Sequence, residues 1–220
     1  MIKIVKIQPP QKLIEHQRSG IPIPIYGNMA TQCKIDVEQS LIKEQRNICA
    51  YCNQILKKGK YSIEHHCEQT ICNGVGDYPD KRIDYSNLLL VCPGNKGTKD
   101  QHCDKKKSEF SIRNGLPIKL NPLQREHVDG ITYTRKGEIM SCNPTHDHEL
   151  NTILNLNQKN LIIIRGKKFR ALIKHIDFKT KNFRKFNSII QSELDSNPFT
   201  SNFPGLSDYL YKKYNGSSLL

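Results

Sequence analysis

Tryptophan is absent from the sequence, methionine occurs only three times, and long apolar runs are missing. No apolar run approaches the roughly 18 to 20 residues that a membrane-spanning helix needs. The first twelve residues, MIKIVKIQPPQK, have neither the apolar stretch nor the small-residue cleavage site of a secretory signal. We therefore expect an intracellular, cytoplasmic protein. Because 36% of the 220 residues are hydrophobic, we also expect one folded domain with extensions, a modest core and long polar loops.

Acidic residues are few relative to basic ones, since 21 Asp and Glu stand against 34 Lys and Arg, for a net charge of +13. Such a charge attracts polyanions and displaces counterions from a phosphate backbone, so nucleic acid is the leading partner. The alternative is a basic, solvated surface. Residues 159–186 contain ten Lys or Arg and one Asp, interleaved with Phe. This segment could contact phosphates through Lys167, Lys168 and Arg170, or form an ordinary helix pair with one solvated side.

The N-terminal segment predicts an extended arm. MIKIVKIQ alternates Ile with Lys before Pro9 and Pro10, which predicts one short strand. The sequence GIPIPIYGN, at residues 20–28, cannot be helical, because each Pro fixes its own φ and favours extended geometry in the residue before it. We expect residues 1–35 to form an arm that either docks on a partner's surface or packs on its own domain.

The middle segment, residues 36–115, predicts a small α+β domain. DVEQSLIKEQRN predicts a helix that Asp36 caps. NQILKKGKYSIEHH alternates about Gly59 as a hairpin does, a polar loop follows, and CDKKKSEFSIRNG predicts a helix that ends at its glycine. Residues 116–220 predict two strands around a turn and then a mainly helical, basic region in which Asp147 caps a helix.

The sequence has eight cysteines. Without a predicted secretory signal they favour metal ligands over disulfides, because cytosolic reductants keep thiols free. Cys49 and Cys52 form a Cys-x-x-Cys knuckle, a turn that directs both thiolates at one point, and a tetrahedral zinc site needs two more such ligands. We interpret Cys33 and Cys142 as ordinary thiols.

Two cysteine pairs could complete the zinc site. Cys92 ends the apolar run LLLV and Cys103 precedes a helix, so both lie at junctions between elements, where a zinc ion most stabilises a small core. Cys67 and Cys72 flank the polar loop instead. We favour Cys92 with Cys103 despite the ten residues between them. The alternative is that all of these cysteines are buried free thiols.

The tetrapeptide Ile-Glu-His-His at residues 63–66 supplies groups suited to phosphodiester hydrolysis. That reaction needs a divalent cation to offset developing charge and a base that takes a proton from water. His65 titrates near neutral pH, and the carboxylate of Glu64 is an oxygen ligand of the kind that Mg²⁺ prefers. His66 is an alternative base. Alone the signal is weak, because adjacent strand residues point to opposite faces and such a cluster is more often a hydrated surface.

The order of these motifs is more specific than any one of them. A Cys-x-x-Cys knuckle, the Glu64-His65 pair, Asn87 in YSNLLLVC and a second cysteine pair resemble the HNH, or ββα-metal, endonuclease family. IEHH, SNLLLVC, HCDKKKS, NPLQREHVDGITYTRKGEI and TILNLN, within residues 1–175, resemble the PtuB-like HNH subunits of Septu and retron-associated anti-phage defence systems. The resemblance implies a zinc-stapled, treble-clef-like ββα-metal core with the arm and the helical region as extensions.

The resemblance also implies roles for individual residues. His65 would be the general base and Glu64 a ligand of a catalytic Mg²⁺ or Mn²⁺. Asn87 would orient His65 or its loop. Asp104 stands where the family often has His or Asn and would complete the metal site, with His102 as the alternative.

Three lysines, Lys105, Lys106 and Lys107, follow Cys103, close to where the resemblance implies a scissile phosphate. Lys107 matches a Lys common in the family motif, and the alternative is a solvated helix face. The resemblance further implies a bacterial complex with a PtuA-like ABC-type ATPase and, in retron-associated members, a reverse transcriptase with its msDNA. The target would be DNA or RNA, including tRNA. The competing hypothesis is a non-catalytic zinc module that binds nucleic acid or a protein.

Overall fold

The computed structural model describes residues 1–20, 24–75, 77–176 and 182–215. Within them the chain has a mixed α+β fold, as predicted, with four short strands in two separate antiparallel pairs. None of the helices in these ranges is long and apolar enough to cross a membrane. The strands are β1 (Ser62–His65), β2 (Leu88–Val91), β3 (Ile131–Tyr133) and β4 (Ile139–Ser141); the α-helices are α1 (Gln11–Arg18), α2 (Thr31–Glu44), α3 (Asp104–Asn114), α4 (Arg125–Asp129), α5 (Pro144–His148), α6 (Lys159–Ile173), α7 (Arg184–Asp195) and α8 (Pro204–Asn215).

The predicted N-terminal strand is wrong. Residues 1–20 contain no strand, and the helix α1 follows Pro10 directly. The alternation still has a structural meaning, because Ile2 and Ile4 are buried while Val5 is exposed. The backbone N–H of Ile4 donates to the carbonyl of Pro122 (2.9 Å), but a ladder of such bonds is needed to make a strand. The start of the arm thus packs on its own core, and docking on a partner stays a prediction.

Helix α2 begins earlier than predicted, at Thr31, and the predicted cap at Asp36 is wrong. The Asp36 carboxylate instead accepts a hydrogen bond from Gln32 Nε2 one turn earlier (2.8 Å), as i, i+4 neighbours on a helix do. The helix buries one apolar face, on which Val37 and Leu41 are fully buried.

Strand β1 pairs with β2 rather than within a hairpin about Gly59. In this antiparallel pairing, Glu64 lies opposite Leu89. All four residues of β2 are buried, which explains its continuous apolar run. Helix α3 starts directly after Cys103 and ends at Gly115, which has the left-handed conformation (φ 63°) that a helix C-terminus favours, as predicted.

The two predicted strands after residue 116 are β3 and β4, which pair with Thr132 opposite Met140. The prediction that Asp147 caps the next helix is wrong. Asn143 is the cap, accepting from the N–H of Thr145 (2.9 Å), whereas Asp147 accepts from the N–H of Ser141 (2.9 Å). The cap is therefore the residue before Pro144. Pro144 itself takes the first position of the helix, where proline is common.

One hydrophobic cluster joins all three segments predicted from the sequence. It includes Leu13 from α1, Leu89 from β2 and Phe186 from α7. Strands β1 and β2 and helix α3 lie against this core, so the side chains at their ends are held by packing on several sides.

Candidate metal centre and adjoining carboxylate site

Helix α3 begins between two clusters of side chains. Cys103, just before its first turn, belongs to a cluster of thiols, and Asp104, its first residue, belongs to a cluster of carboxylates. We name these the thiol cluster (Cys49, Cys52, Cys92 and Cys103) and the carboxylate cluster (Glu64, Glu68, Asp104 and Lys107).

The thiol cluster has the spacing of a four-coordinate metal site. The Sγ atom of Cys103 lies 3.8 Å from those of Cys49 and Cys92, and Cys52 Sγ lies 3.7 Å from Cys92 Sγ. Tetrahedral zinc with Zn–S bonds of about 2.3 Å places its sulfurs about 3.8 Å apart. Among the residues that the structure describes, no other group of three His, Cys, Asp or Glu has its ligand atoms so close. The predicted cysteines therefore come together, and they can hold a metal such as zinc.

Local backbone geometry builds the first half of the thiol cluster. The N–H of Cys49 donates to the carbonyl of Gln54 (2.8 Å), closing the knuckle, and Asn53 adopts a positive φ (58°) within it. The N–H of Ala50 donates to the carbonyl of Leu90 (3.0 Å). The knuckle is thus fastened to β2, the strand that leads into Cys92.

The ten residues between Cys92 and Cys103 form a loop that folds back on itself. The two cysteines therefore lie close together although they are far apart in the sequence. The N–H of His102 donates to the carbonyl of Gly94 (3.0 Å). Gly94 has a φ of +56°, and a Cβ there would lie 2.2 Å from the His102 carbonyl oxygen, so glycine is required. The N–H of Cys103 donates to the carbonyl of Leu154 (2.8 Å) and anchors the second ligand.

Metal binding would change the protonation of the thiol cluster. Burial raises the pKa of both Cys52 and Cys103, so without a metal these side chains are neutral thiols. A metal ion that binds them displaces their protons, and its positive charge then balances the thiolates. His102, the alternative ligand for the catalytic metal, lies on this side, with Nδ1 3.1 Å from Cys103 Sγ. A ring N–H in that position orients a metal-bound sulfur.

Cys67 and Cys72 are joined by a disulfide, with their Cα atoms 5.9 Å apart. The expectation of free thiols is therefore wrong for this pair, which is not available to complete the zinc site. The intervening loop brings the two Cα atoms within the usual disulfide range. Cys33 is buried and Cys142 exposed, and both are free thiols as predicted.

Lys107 is the centre of the carboxylate cluster. Its side chain is fully buried, and its ammonium forms ion pairs with Glu64 and with Glu68 (2.7 Å). It also donates to the backbone carbonyls of His65 (3.0 Å) and His66 (3.1 Å). Burial lowers the pKa of Lys107, but the two glutamates raise it by more, so the residue is charged. A phosphate at Lys107 would have to replace these contacts.

Asp104 and Glu64 share one charge-rich space. Burial raises the pKa of Glu64 well above its usual range; Lys107 opposes this rise and the neighbouring Asp104 adds to it. Burial also raises the pKa of Asp104, but hydrogen bonding with Glu64 and Lys105 more than offsets it, and the net pKa is lowered. Lys105 Nζ lies 2.7 Å from the Asp104 carboxylate.

The carboxylate cluster has one negative charge in excess. Among the described residues, its three carboxylates form ion pairs with two lysines, Lys107 and, at its edge, Lys105. A buried site does not tolerate an unpaired charge, so a proton shared by Glu64 and Asp104, or a bound cation, is needed to neutralise it.

His65, at the end of β1, is held in a defined tautomer. Its Nε2 lies 3.0 Å from the carbonyl oxygen of Arg82, and since a carbonyl only accepts, Nε2 carries the proton. Burial lowers the pKa of His65, so the ring is neutral and Nδ1 has a free lone pair. The edge of the ring packs against Tyr26 (5.1 Å between centroids). These features suit a base.

His66 faces a different environment. Its Nε2 donates to the carbonyl of Leu120 (2.9 Å), and burial lowers its pKa to about 4. Lys107 lowers the pKa of both histidines, but Glu68 and Asp104 raise only that of His65. Of the two histidines, His65 is therefore the one whose pKa responds to the carboxylates of the cluster.

Asn87 acts on the loop beside His65. Its Oδ1 accepts from the N–H of Cys67 (2.8 Å), and its Nδ2 donates to the carbonyls of Cys67 (2.9 Å) and Lys81 (3.0 Å). Lys81 precedes Arg82, whose carbonyl holds the His65 ring. Asn87 thus positions the backbone on both sides of the histidine.

The predicted phosphate contacts fall into two groups. Lys167 and Arg170 are exposed on α6, and Lys106 forms an ion pair with Glu109 at the surface. The ammonium of Lys168 is engaged inside the fold, with Glu193 and with the carbonyl of Asn202 (2.6 Å). Lys168 and Lys107 are therefore not free to meet a ligand in this structure.

Sequence reasoning missed two contributors to the carboxylate cluster. Glu68 accepts from Ser111 Oγ (2.6 Å) as well as from Lys107, and the Tyr51 hydroxyl donates to Glu64 Oε1 (3.5 Å). The spacing of Glu64 and Glu68 resembles one helical turn, but the intervening residues lie at the end of a strand. No sequence signal pointed to Tyr51.

Comparison with known proteins does not assign a family. The chain matches no protein-family model, and none of the curated proteins is significantly similar to it.

Proposed function

We propose that this protein is a metal-dependent endonuclease of the HNH type that hydrolyses nucleic-acid phosphodiester bonds. The observation that carries the proposal is a neutral imidazole, His65, whose Nδ1 accepts no hydrogen bond from the described residues, together with a cluster of three carboxylates, Glu64, Glu68 and Asp104, that pairs with only two lysines there. A base and a set of oxygen ligands with a negative charge in excess are what metal-assisted hydrolysis requires.

In the proposed reaction His65 Nδ1 accepts a proton from the attacking water. The carbonyl of Arg82 holds the ring through Nε2–H and stabilises the imidazolium that forms. Glu64 and Asp104 are the proposed ligands of Mg²⁺ or Mn²⁺, a cation that supplies electrostatic stabilisation of the phosphate when bound. Two carboxylates suit Mg²⁺, which keeps several of its own waters.

The thiol cluster has a structural role in this proposal. Zinc bound there would fix Cys103, and through it the adjacent Asp104, relative to β1 and Glu64. Catalytic ligands need positions held to within about 0.5 Å by their surroundings, and a four-coordinate ion at the start of α3 supplies such a constraint.

The test is cleavage of plasmid, single-stranded DNA and tRNA by the purified protein with Mg²⁺ or Mn²⁺. We expect His65→Ala to lower the rate by about 10² to 10⁴-fold, the usual contribution of a general base. His66→Ala, in which the adjacent ring donates to a carbonyl in the same way, is the matched control and should retain much more activity. Equal loss in both variants, or undiminished cleavage by His65→Ala, contradicts the assignment of the base.

We further propose that the nuclease is the effector of an anti-phage complex with a PtuA-like ABC-type ATPase, in some systems controlled by a retron reverse transcriptase and its msDNA. The support is the ordered set of sequence motifs that resembles PtuB-like subunits. The cleavage assay should therefore include the protein purified with its ATPase. Absence of cleavage in both forms would contradict the nuclease proposal.

A second candidate function is a zinc module that binds nucleic acid or a protein without cleaving it. The observation that favours it is the buried ammonium of Lys107 on Glu64, which neutralises part of the site without a metal. The same assay separates the two functions, because the module would bind nucleic acid and leave it intact with every metal.

A further inference from the structure

A groove with basic walls lies beside the thiol cluster. It consists of two adjoining cavities of about 570 and 370 Å³, which share Lys60 and Pro93 in their linings. Neither lining contains an Asp or a Glu. The basic residues that line it are Lys57, Lys60, Lys96 and Lys105.

Three of these lysines have no acidic partner among the residues that the structure describes. Lys57, Lys60 and Lys96 are exposed and form no ion pair there. In contrast, Lys168 of α6 is committed to Glu193. Positive charges gathered along one groove, with no acidic residue in its wall, produce a local potential that attracts an anion with several charges.

Two compact loops hold the lysines in place. Lys57 and Lys60 flank the turn at Gly59, where the N–H of Lys60 donates to the carbonyl of Lys57 (2.8 Å). Lys96 belongs to the loop between Cys92 and Cys103, where its N–H donates to the carbonyl of Pro93 (3.0 Å). The loops carry the lysines on defined backbone, which lowers the entropy lost when a ligand binds.

One lysine connects the groove with the carboxylate cluster. Lys105 lines the far cavity, and its ammonium lies 2.7 Å from the Asp104 carboxylate. An anion that follows the lysines from Lys57 toward Lys105 would therefore reach the lysine that pairs with Asp104. A single small anion would use one end of such a path, whereas a chain of phosphates would use its whole length.

We propose that a nucleic-acid strand lies in this groove, with successive phosphates near Lys57, Lys60 and Lys96 and the scissile phosphate beyond Lys105. The inference rests on the proposed function, for which it names the path of the substrate. It also assigns phosphate contacts to the loops around the thiol cluster rather than to α6. Because both loops are joined to cysteines of that cluster, a metal there would support binding as well as folding.

The test is binding of fluorescently labelled strands, measured by anisotropy as a function of salt. A groove variant is compared with a control variant, and both carry His65→Ala so that no substrate is cut. The groove variant is Lys57→Gln, Lys60→Gln and Lys96→Gln combined. The matched control removes three exposed charges from α6 and the residue that follows it, by Lys167→Gln, Arg170→Gln and Lys174→Gln. Single-stranded DNA, duplex DNA and RNA are separate arms, and polyglutamate is the competitor that reports non-specific attraction.

We expect the groove variant to bind at least one preferred nucleic acid about 10-fold or more weakly. Its plot of log affinity against log salt should be less steep by about 2 to 3, because each lost phosphate contact contributes roughly 0.7 to 0.9. In the α6 control the slope of the same plot should change by less than one. Circular dichroism and bound-metal content should match in the two variants, which shows that both are folded.

A greater loss in the α6 control, equal losses, no binding to any strand, or full competition by polyglutamate would overturn the proposal. Binding is measured without catalysis, so an inactive wild-type enzyme does not affect this result. Conversely, an unchanged groove variant leaves the cleavage assay of His65 fully interpretable.

Discussion

The thiol cluster and the carboxylate cluster meet at two adjacent residues, Cys103, which precedes α3, and Asp104, its first residue, yet they balance their charges in opposite ways. The thiol cluster consists of four equivalent donors spaced for one ion. The carboxylate cluster encloses its own cation, Lys107, and still lacks one positive charge.

The difference indicates that the two adjoining clusters suit different roles. A closed set of four cysteines suits a structural metal such as zinc, because four protein ligands leave no position for a substrate. A cluster that is only partly neutralised keeps a position for a proton or an exchangeable cation, as active sites do. Ion pairs within it, such as that of Lys107 with Glu64, hold the carboxylates in place in the absence of a ligand.

The largest effect should come from breaking the thiol cluster. We expect Cys103→Ser to lose bound metal and most of the folded structure, because structural zinc contributes about 10 to 16 kcal/mol in zinc-finger peptides, as much as the whole stability of many domains. Thermal unfolding by circular dichroism, with zinc content per chain, measures this. Cys142→Ser, at an exposed free thiol, is the control and should change stability by no more than about 0.5 kcal/mol. A Cys103→Ser protein that unfolds at the wild-type temperature would show that the cluster needs no metal.

A smaller but still large effect should come from removing the internal cation of the carboxylate cluster. Lys107→Met leaves buried carboxylates without their partner, which costs about 3 to 5 kcal/mol. If Glu64 and Asp104 bind a divalent cation, Mg²⁺ or Mn²⁺ should restore part of this loss, since a ligand stabilises the state that binds it.

The control for Lys107→Met is Lys106→Met, one residue earlier on α3. Lys106 pairs with Glu109 at the surface, so its loss should cost no more than about 1 kcal/mol and should not respond to added metal. Urea unfolding with and without Mn²⁺ measures both variants. Equal losses would show that the buried ion pairs contribute no more than a surface one, and the contrast between the clusters would fail.

The smallest effect concerns the boundary between the clusters. His102 contacts Cys103 Sγ, so His102→Ala should weaken metal binding by the thiol cluster about 10 to 100-fold without unfolding the protein. Competition with a chromogenic chelator measures this affinity. His148→Ala, at an exposed position of α5, is the control. If His102→Ala instead retained zinc and lost nuclease activity, His102 would belong with the catalytic ligands.

Several features of the site were predictable because they depend on neighbouring residues. The knuckle at Cys49 and Cys52 follows from a tight local turn, and the end of α3 at Gly115 follows from the left-handed conformation that glycine adopts readily. The choice of Cys92 with Cys103 was correct because both flank short elements that pack on the core.

Other features were not predictable because they depend on segments far apart in the chain. Alternation predicted a hairpin about Gly59, and the chain does turn there, with an antiparallel bridge between Lys57 and Lys60, but β1 pairs with the fully apolar β2. Lys107 was expected near a phosphate, but the helix turns it inward, where Glu64 and Glu68 lie. Alternation and charge show which face of a helix or strand is apolar or charged. They do not show which distant segment packs against that face.

The donor groups could be read from the amino-acid sequence: four cysteines in two pairs, an acid next to a histidine, and an aspartate directly after Cys103. Their identity and local spacing are enough to set the chemistry available. The tertiary structure decided how the donors are used, by placing Arg82 against His65 and Leu120 against His66. The physical reason is that a tautomer, a pKa or an ion pair depends on burial and on the opposing surface, and both arise only when distant segments pack together.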